Sequence, residues 1–196
     1  MARSVQAEQL TIEAWGALSE DTPGELVDGL LVGEEMPNAA HELVVSWIIW
    51  VLWTWLSEGD GLVLGSESKL AVGPDRGRKP DVLVWLPDQR KPSRRASVHR
   101  LPPAIVVEVV SPAPEDGRRD RVDKVDDYAA FGVRWYWIVD PELRTLEVLE
   151  LGADGRYARA LGATGGRLAS IPGCPGLTFD LDLLWAKVDA LDEEET

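Results

Sequence analysis

The chain has 196 residues, 45% of them hydrophobic and 28% charged, which suits one globular domain with a core of its own rather than a disordered chain. A formal charge of −14 argues against a phosphate-binding surface spread over the whole molecule. Cys174 is the single cysteine, so no internal disulfide and no cysteine-based metal site can form, and a reducing cytoplasm fits.

The first eight residues lack the apolar core of a signal peptide. An opening helix is expected over residues 7–18, within a helical N-terminal segment of about twenty residues. Asp21-Thr22-Pro23-Gly24 then turns the chain into a strand over 25–34, broken by the hairpin dipeptide Asp28-Gly29. Asn38 is placed to cap a long helix over 39–57. Within it, residues 43–56 carry Trp47, Trp50, Trp53 and Trp55, with only Ser46 and Thr54 as polar breaks. That run is shorter than the ~20 residues needed to cross a membrane, so it reads as a core helix with one side able to form a subunit interface.

Gly59-Asp60-Gly61 leads to a strand over 62–72, and a loop over 74–79 delivers the apolar strand that follows Asp81. Residues 75–100 hold eight basic side chains against three acidic ones, mostly in an Arg-rich loop over 88–100. A basic loop beside an acidic site would suit a phosphodiester substrate. Pro102-Pro103 launches a strand containing Glu108, and Ser111-Pro112 stops it. A helix over 118–131 closes on Gly132, followed by a buried strand over 133–139, a hairpin over 145–151 and 156–161, and a last helix over 181–191. The acidic tail at 192–196 reads as frayed. This order predicts an α/β domain with a mixed central β-sheet flanked by helices.

Glu108 stands inside Ile105-Val106-Val107-Glu108-Val109-Val110, the pattern of a strand covered on both faces. An ionised carboxylate there needs a partner or a cation, and pairing with Arg134 is the plain alternative. Asp81 in Pro80-Asp81 is also ordinary turn chemistry, and Asp120 with Lys124 is also a surface helix pair. Strand, strand and helix carrying Asp81, Glu108 and Lys124 in that order are harder to dismiss together.

The combination resembles the PD-(D/E)xK nuclease superfamily. More narrowly, it resembles the bacterial putative restriction endonuclease family in which the lysine has moved from the strand to the following helix. The resemblance runs through Glu25-Leu26-Val27-Asp28-Gly29, His41, Pro80-Asp81, Val107-Glu108-Val109-Val110-Ser111-Pro112, Asp120 with Lys124 and Tyr128, and Gly132-Val133-Arg134-Trp135-Tyr136-Trp137-Ile138-Val139-Asp140-Pro141. It implies a restriction-endonuclease-like core, divalent-metal-dependent cleavage of nucleic acid and a homodimer. Carried over by position, Asp81 and Glu108 hold the metal and Lys124 serves the attacking water. Val110 departs from the parent pattern, which has lysine there.

Mg²⁺ or Mn²⁺ would find oxygens in Asp81, Glu108 and the Val109 carbonyl. Glu25 would add a carboxylate, as the resemblance suggests, or simply be a solvated strand end. His41 would touch substrate or carry a proton, or merely sit at the surface. Tyr128, Trp135, Tyr136 and Trp137 read as core or interface, and His99 has no evident partner. Ser111 lacks the glycine-flanked elbow of a nucleophile. The leading expectation is an endonuclease engaging DNA weakly or transiently, with no membrane partner. The alternatives are a nucleic-acid- or protein-binding module that does not cut, and a structural protein that associates through the Trp-rich helix.

Overall fold

The computed structural model describes residues 9–19, 22–33, 37–112 and 119–191. Its centre is a six-stranded mixed sheet in the order β10-β9-β8-β7-β6-β3. The strands are β3 (Leu62–Gly65), β6 (Val82–Trp85), β7 (Ile105–Val109), β8 (Trp135–Asp140), β9 (Thr145–Leu151) and β10 (Tyr157–Ala163). Among the described strands of this sheet, only β7 and β8 are parallel neighbours, and parallel neighbours need a crossover long enough for a helix. That crossover holds a π-helical turn, Arg119–Asp123, running into α3, Lys124–Phe131. A smaller sheet in the order β2-β1-β5-β4 joins β1 (Glu25–Val27), β2 (Leu30–Val32), β4 (Leu70–Ala71) and β5 (Gly77–Arg78). β11 (Arg167–Leu168) pairs with β12 (Phe179–Asp180).

Alternation along the strands sends side chains to two cores. Val82, Val84, Ile105, Val107 and Val109 pack beneath α2 (Ala39–Trp55) and α4 (Leu181–Val188). Leu83, Trp85, Val106, Tyr136 and Ile138 pack on the opposite face with Tyr128 of α3. Each fully buried aliphatic side chain there contributes roughly 1.5–3 kcal/mol. Coverage on both faces explains the nearly unbroken apolar runs of β6 and β7.

The caps agree with the sequence. Asn38 Oδ1 accepts from His41 N–H at 2.9 Å, and Gly132 takes the left-handed conformation (φ 90°) that ends α3. Among the described residues, no helix is long and apolar enough to cross a membrane.

Several expected boundaries change. The opening helix is only α1, Ile12–Gly16, whose Thr11 side chain accepts from Ala14 N–H; residues 7 and 8 lie outside the described residues, as does the tail at 192–196. The strand expected over 62–72 is two strands in different sheets, because the chain turns after Gly65. The loop expected over 74–79 contains β5. Its signal was missed because Gly-Arg has turn composition, yet the glycine is required. A Cβ on Gly77 would fall 2.3 Å from the buried Trp15 ring. Finally, the first turn of the helix expected over 118–131 is π-helical, a local widening often found where a helix carries function.

Candidate active site

β6 and β7 are antiparallel with Val82 opposite Val107. Continuing that register one residue sets Asp81 across from Glu108, on the same face of the sheet. Side chains so opposed have Cβ atoms about 4.5–5.5 Å apart. Val109 N–H donates to Asp81 Oδ2 at 2.7 Å and fixes one oxygen of that carboxylate. Glu108 is buried, with its Oε1 accepting from the Tyr128 hydroxyl. Its Oε2 lies 2.9 Å from Lys124 Nζ.

Lys124 opens α3 and is itself buried. Its ammonium also lies 3.0 Å from Asp120 Oδ1, one turn earlier, and 3.8 Å from Glu25 Oε1. The Asp120–Lys124 pair is therefore buried, not the surface pair its spacing allowed. Arg134, the alternative partner for Glu108, instead meets Glu150 at 2.6 Å on the surface.

Glu25 is tied down from the other side. Arg78 Nη1 donates to its Oε2 at 2.6 Å and Lys79 N–H to its Oε1 at 2.9 Å. The same Arg78 donates through Nε (2.8 Å) and Nη2 (2.6 Å) to Asp127 Oδ2, and Arg76 Nη1 reaches Asp127 Oδ1 at 2.8 Å. One buried guanidinium thus clamps β1 to the helix that carries Lys124. His41, in the first turn of α2, holds Nε2 3.4 Å from Asp81 Oδ2 and Nδ1 3.6 Å from Glu42 Oε1. Asp81, Glu108, Lys124, Glu25 and His41 all line one cleft of about 170 Å³, with Val109, Ser111, Asp120, Lys79 and Arg119.

The electrostatics are uneven. Burial pushes Glu108 well above the usual carboxylate range, and Asp120, Asp81 and Glu25 add to the push against the opposing Lys124. Burial also raises Asp120. For Glu25, burial acts upward but the attraction of Lys124 and Arg78 outweighs it and lowers the pKa. Lys124 loses hydration on burial, yet Glu108, Glu25, Asp120 and Asp81 hold its proton more tightly than usual. Burial likewise disfavours the His41 cation, but Asp81 and then Glu42 reverse this and raise its pKa.

These shifts give a sign for pH. A carboxylate with a lowered folded-state pKa adds stability that is whole above its ordinary value, 4.5, and lost as pH falls through the lowered value. The stability gap between the wild type and Glu25→Gln is therefore expected to be largest above pH 4.5 and to shrink below it. Urea melts of both chains between pH 3 and pH 7 check this, and a constant gap would mean the Glu25 charge contributes nothing.

Among the described residues, no three His, Cys, Asp or Glu side chains are arranged to cage a metal ion. The donor chemistry nevertheless suits a hard dication. Mg²⁺ is commonly held by one or two carboxylates and keeps several waters, and here Asp81 immediately precedes β6 and Glu108 lies in the neighbouring β7, with Val109 lining the same cleft and its N–H bonded to Asp81. A carboxyl group pushed upward by burial gains most from an added positive charge.

A family model, Uma2, described as putative restriction endonuclease, matches residues 8–183. The chain belongs to the Uma2 family. A crystal structure of a putative nuclease belonging to DUF820 from Anabaena variabilis shares the fold, with a TM-score of 0.73 over 91% of this chain and 99% of that one. The two are 15% identical, so this likeness concerns architecture. None of the curated proteins matches.

Sequence reasoning missed part of the Uma2 cleft. Lys79 and Arg119 line it without having been singled out, and Asp120, named as the helix partner of Lys124, had been given no role there. For Asp120 a signal existed, because Asp120, Lys124, Asp127 and Tyr128 follow helical spacing and all four are buried. The Arg78 clamp had no signal, since its partners are 53 and 49 residues away. The Arg-rich loop is a correction. It joins the β6 and β7 ends where Val84 faces Ile105, the far end from Asp81 and Glu108, and none of its residues lines the cleft. His99 in that loop is not solitary, for its ring packs edge-on to Trp85 and its backbone bonds to Lys69 and Ala71.

Proposed function

We propose that this Uma2 protein is a divalent-metal-dependent endonuclease that hydrolyses phosphodiester bonds in DNA. The observation that carries the reading is the meeting of Asp81, Glu108 and the Lys124 ammonium in one cleft of a nuclease-family fold. Asp81, Glu108 and the Val109 carbonyl would hold Mg²⁺ or Mn²⁺. Such an ion supplies Lewis-acid polarisation of the phosphate and an acidified water when bound.

The remaining work belongs to side chains. Lys124, kept protonated by its acidic neighbours, orients the attacking water and offsets the charge growing on the phosphate oxygens. Water oxygen bonds to phosphorus and the water gives up one proton, one P–O ester bond breaks, and the departing alkoxide takes up a proton in exchange. Tyr128 holds Glu108 in place through its hydroxyl. Glu25, engaged by Arg78, sets Lys124 from behind rather than offering itself to the substrate. His41 orients Asp81, and its raised pKa favours a charged ring near substrate phosphate. Lys79 and Arg119 add positive charge to the cleft wall, while the far position of the Arg-rich loop and the net −14 fit weak, salt-sensitive DNA contact.

A second reading, a module that binds without cutting, draws on Val110 at the parent pattern's lysine position and on Lys124 being held between Glu108 and Asp120. Calorimetric Mg²⁺ or Mn²⁺ titration followed by plasmid nicking on the same sample separates the two. We expect binding and nicking by the wild type, with Asp81→Asn and Glu108→Gln each losing at least tenfold in metal affinity and nearly all nicking. Metal binding without nicking supports the second reading.

A further inference from the structure

The outer face of α2 is an apolar strip with an exposed tryptophan pair. Trp50 is 59% and Trp53 45% exposed, and Leu183, one turn before Lys187 on α4, is 47% exposed. Leu43, Trp47, Trp50 and Trp53 recur at helical spacing, so they form one stripe. Three shallow hollows run end to end along it. The first is bounded by Leu43, Trp47, Trp50 and Lys187, the second lies between Trp50 and Trp55, and the third runs from Trp55 to Glu58 and Pro87. No ionisable side chain occurs between Leu43 and Leu56.

We propose that this stripe is the interface between two copies of the chain, α2 packed antiparallel on α2 about a two-fold axis. Charge selects the partner. With −14 on each chain, two copies repel over most orientations, and this uncharged face is where they can approach closely. Its two ends complement each other, with Lys187 at one and Glu58 at the other. Neither has an ion-pair partner among the described residues. An antiparallel two-fold brings Lys187 of each copy to Glu58 of the other.

Size agrees as well. Two half-exposed tryptophans, Leu183 and the stripe's margins present on the order of 400 Å² of apolar surface, about the apolar half of the ~800 Å² each partner buries in a standard interface. The 17-residue helix is about 25 Å long, enough for such a footprint. The interface leaves out every residue of the cleft, so it stands or falls separately from the nuclease reading.

Sedimentation equilibrium on the full chain over a dilution series tests it. The wild type is expected to be a dimer at micromolar concentrations, and Trp50→Glu, an exposed change that leaves the fold intact, should weaken it at least a hundredfold. Lys187→Glu should weaken it about tenfold, and adding Glu58→Lys should restore it. A wild type monomeric throughout, a Trp50→Glu chain with the wild-type dimer constant, or a charge swap without recovery overturns the proposal.

Discussion

Replacing Lys124 with alanine is expected to cut cleavage severely and also to weaken the fold by about 3–5 kcal/mol, the range for removing one partner of a buried charge cluster. The sequence alone suggests a milder result, a folded protein that binds metal without turnover. The geometry changes that expectation. The ammonium stands 2.9 Å from Glu108, 3.0 Å from Asp120 and 3.8 Å from Glu25, and the lysine is only 7% exposed. Without it, the buried Glu108 and Asp120 lose the ammonium that neutralises them, while Glu25 keeps Arg78.

Protonation limits the damage. Burial already pushes Glu108 and Asp120 upward, and losing Lys124 pushes them further. A carboxyl group with a raised folded-state pKa stabilises the fold below its ordinary value and loses that contribution as pH rises through the raised one. The deficit of Lys124→Ala should therefore be largest at neutral pH and shrink on acidification. Denaturant melts across pH measure this, while nicking assays at temperatures where circular dichroism shows a folded chain isolate catalysis. A drop of 10²–10³-fold or more in turnover is expected from removing a charge-stabilising donor. A variant that nicks normally would take Lys124 out of the mechanism, and one that melts like the wild type would deny the cluster its neutralising role.

Arg78→Met should cost a similar amount, about 3–5 kcal/mol. The guanidinium is buried and meets both Glu25 and Asp127. Their losses differ. Asp127 keeps Arg76 at 2.8 Å, whereas Glu25 keeps the Lys79 N–H at 2.9 Å and the more distant Lys124 at 3.8 Å. Glu25 would then compete with Glu108 for Lys124, so turnover should fall with stability.

Arg78→Lys is expected to recover only part of the loss, because one ammonium cannot reach two carboxylates on different elements as a planar five-donor group does. Adding Glu25→Gln to Arg78→Met should restore several tenths of the lost stability, by removing the stranded charge. Equal melts for Arg78→Lys and the wild type would show that charge alone, and not the forked geometry, ties β1 to α3.

Much of the cleft was legible because burial and charge conflict locally. A glutamate among Ile105, Val106, Val107 and Val109 announces itself, since nothing but a partner or cation justifies it in a strand covered on both faces. Asn38 and Gly132 marked helix ends through capping chemistry that depends on a few adjacent residues. The short elements were less readable. β5 and the break between Gly65 and Leu70 carry no periodic pattern, and β5 is a strand because it pairs with the distant β1 on one side and the nearby β4 on the other.

Although the short strands β4, β5, β11 and β12 escaped it, the sequence by itself determined the order of the longer helices and strands, the two-faced central sheet and the identity of Asp81, Glu108 and Lys124 as candidates. These follow from side-chain period, turn residues and misplaced charge, all properties of neighbours along the chain. The tertiary structure decided that Asp81 faces Glu108, that Asp120 joins them, that Arg78 braces Glu25 against Asp127, and that the basic loop lies at the sheet's other end. Strand register and helix docking set those relations. They are fixed by the packing of the whole core, because a one-residue slip in β6 would turn Asp81 to the opposite face without changing any local pattern.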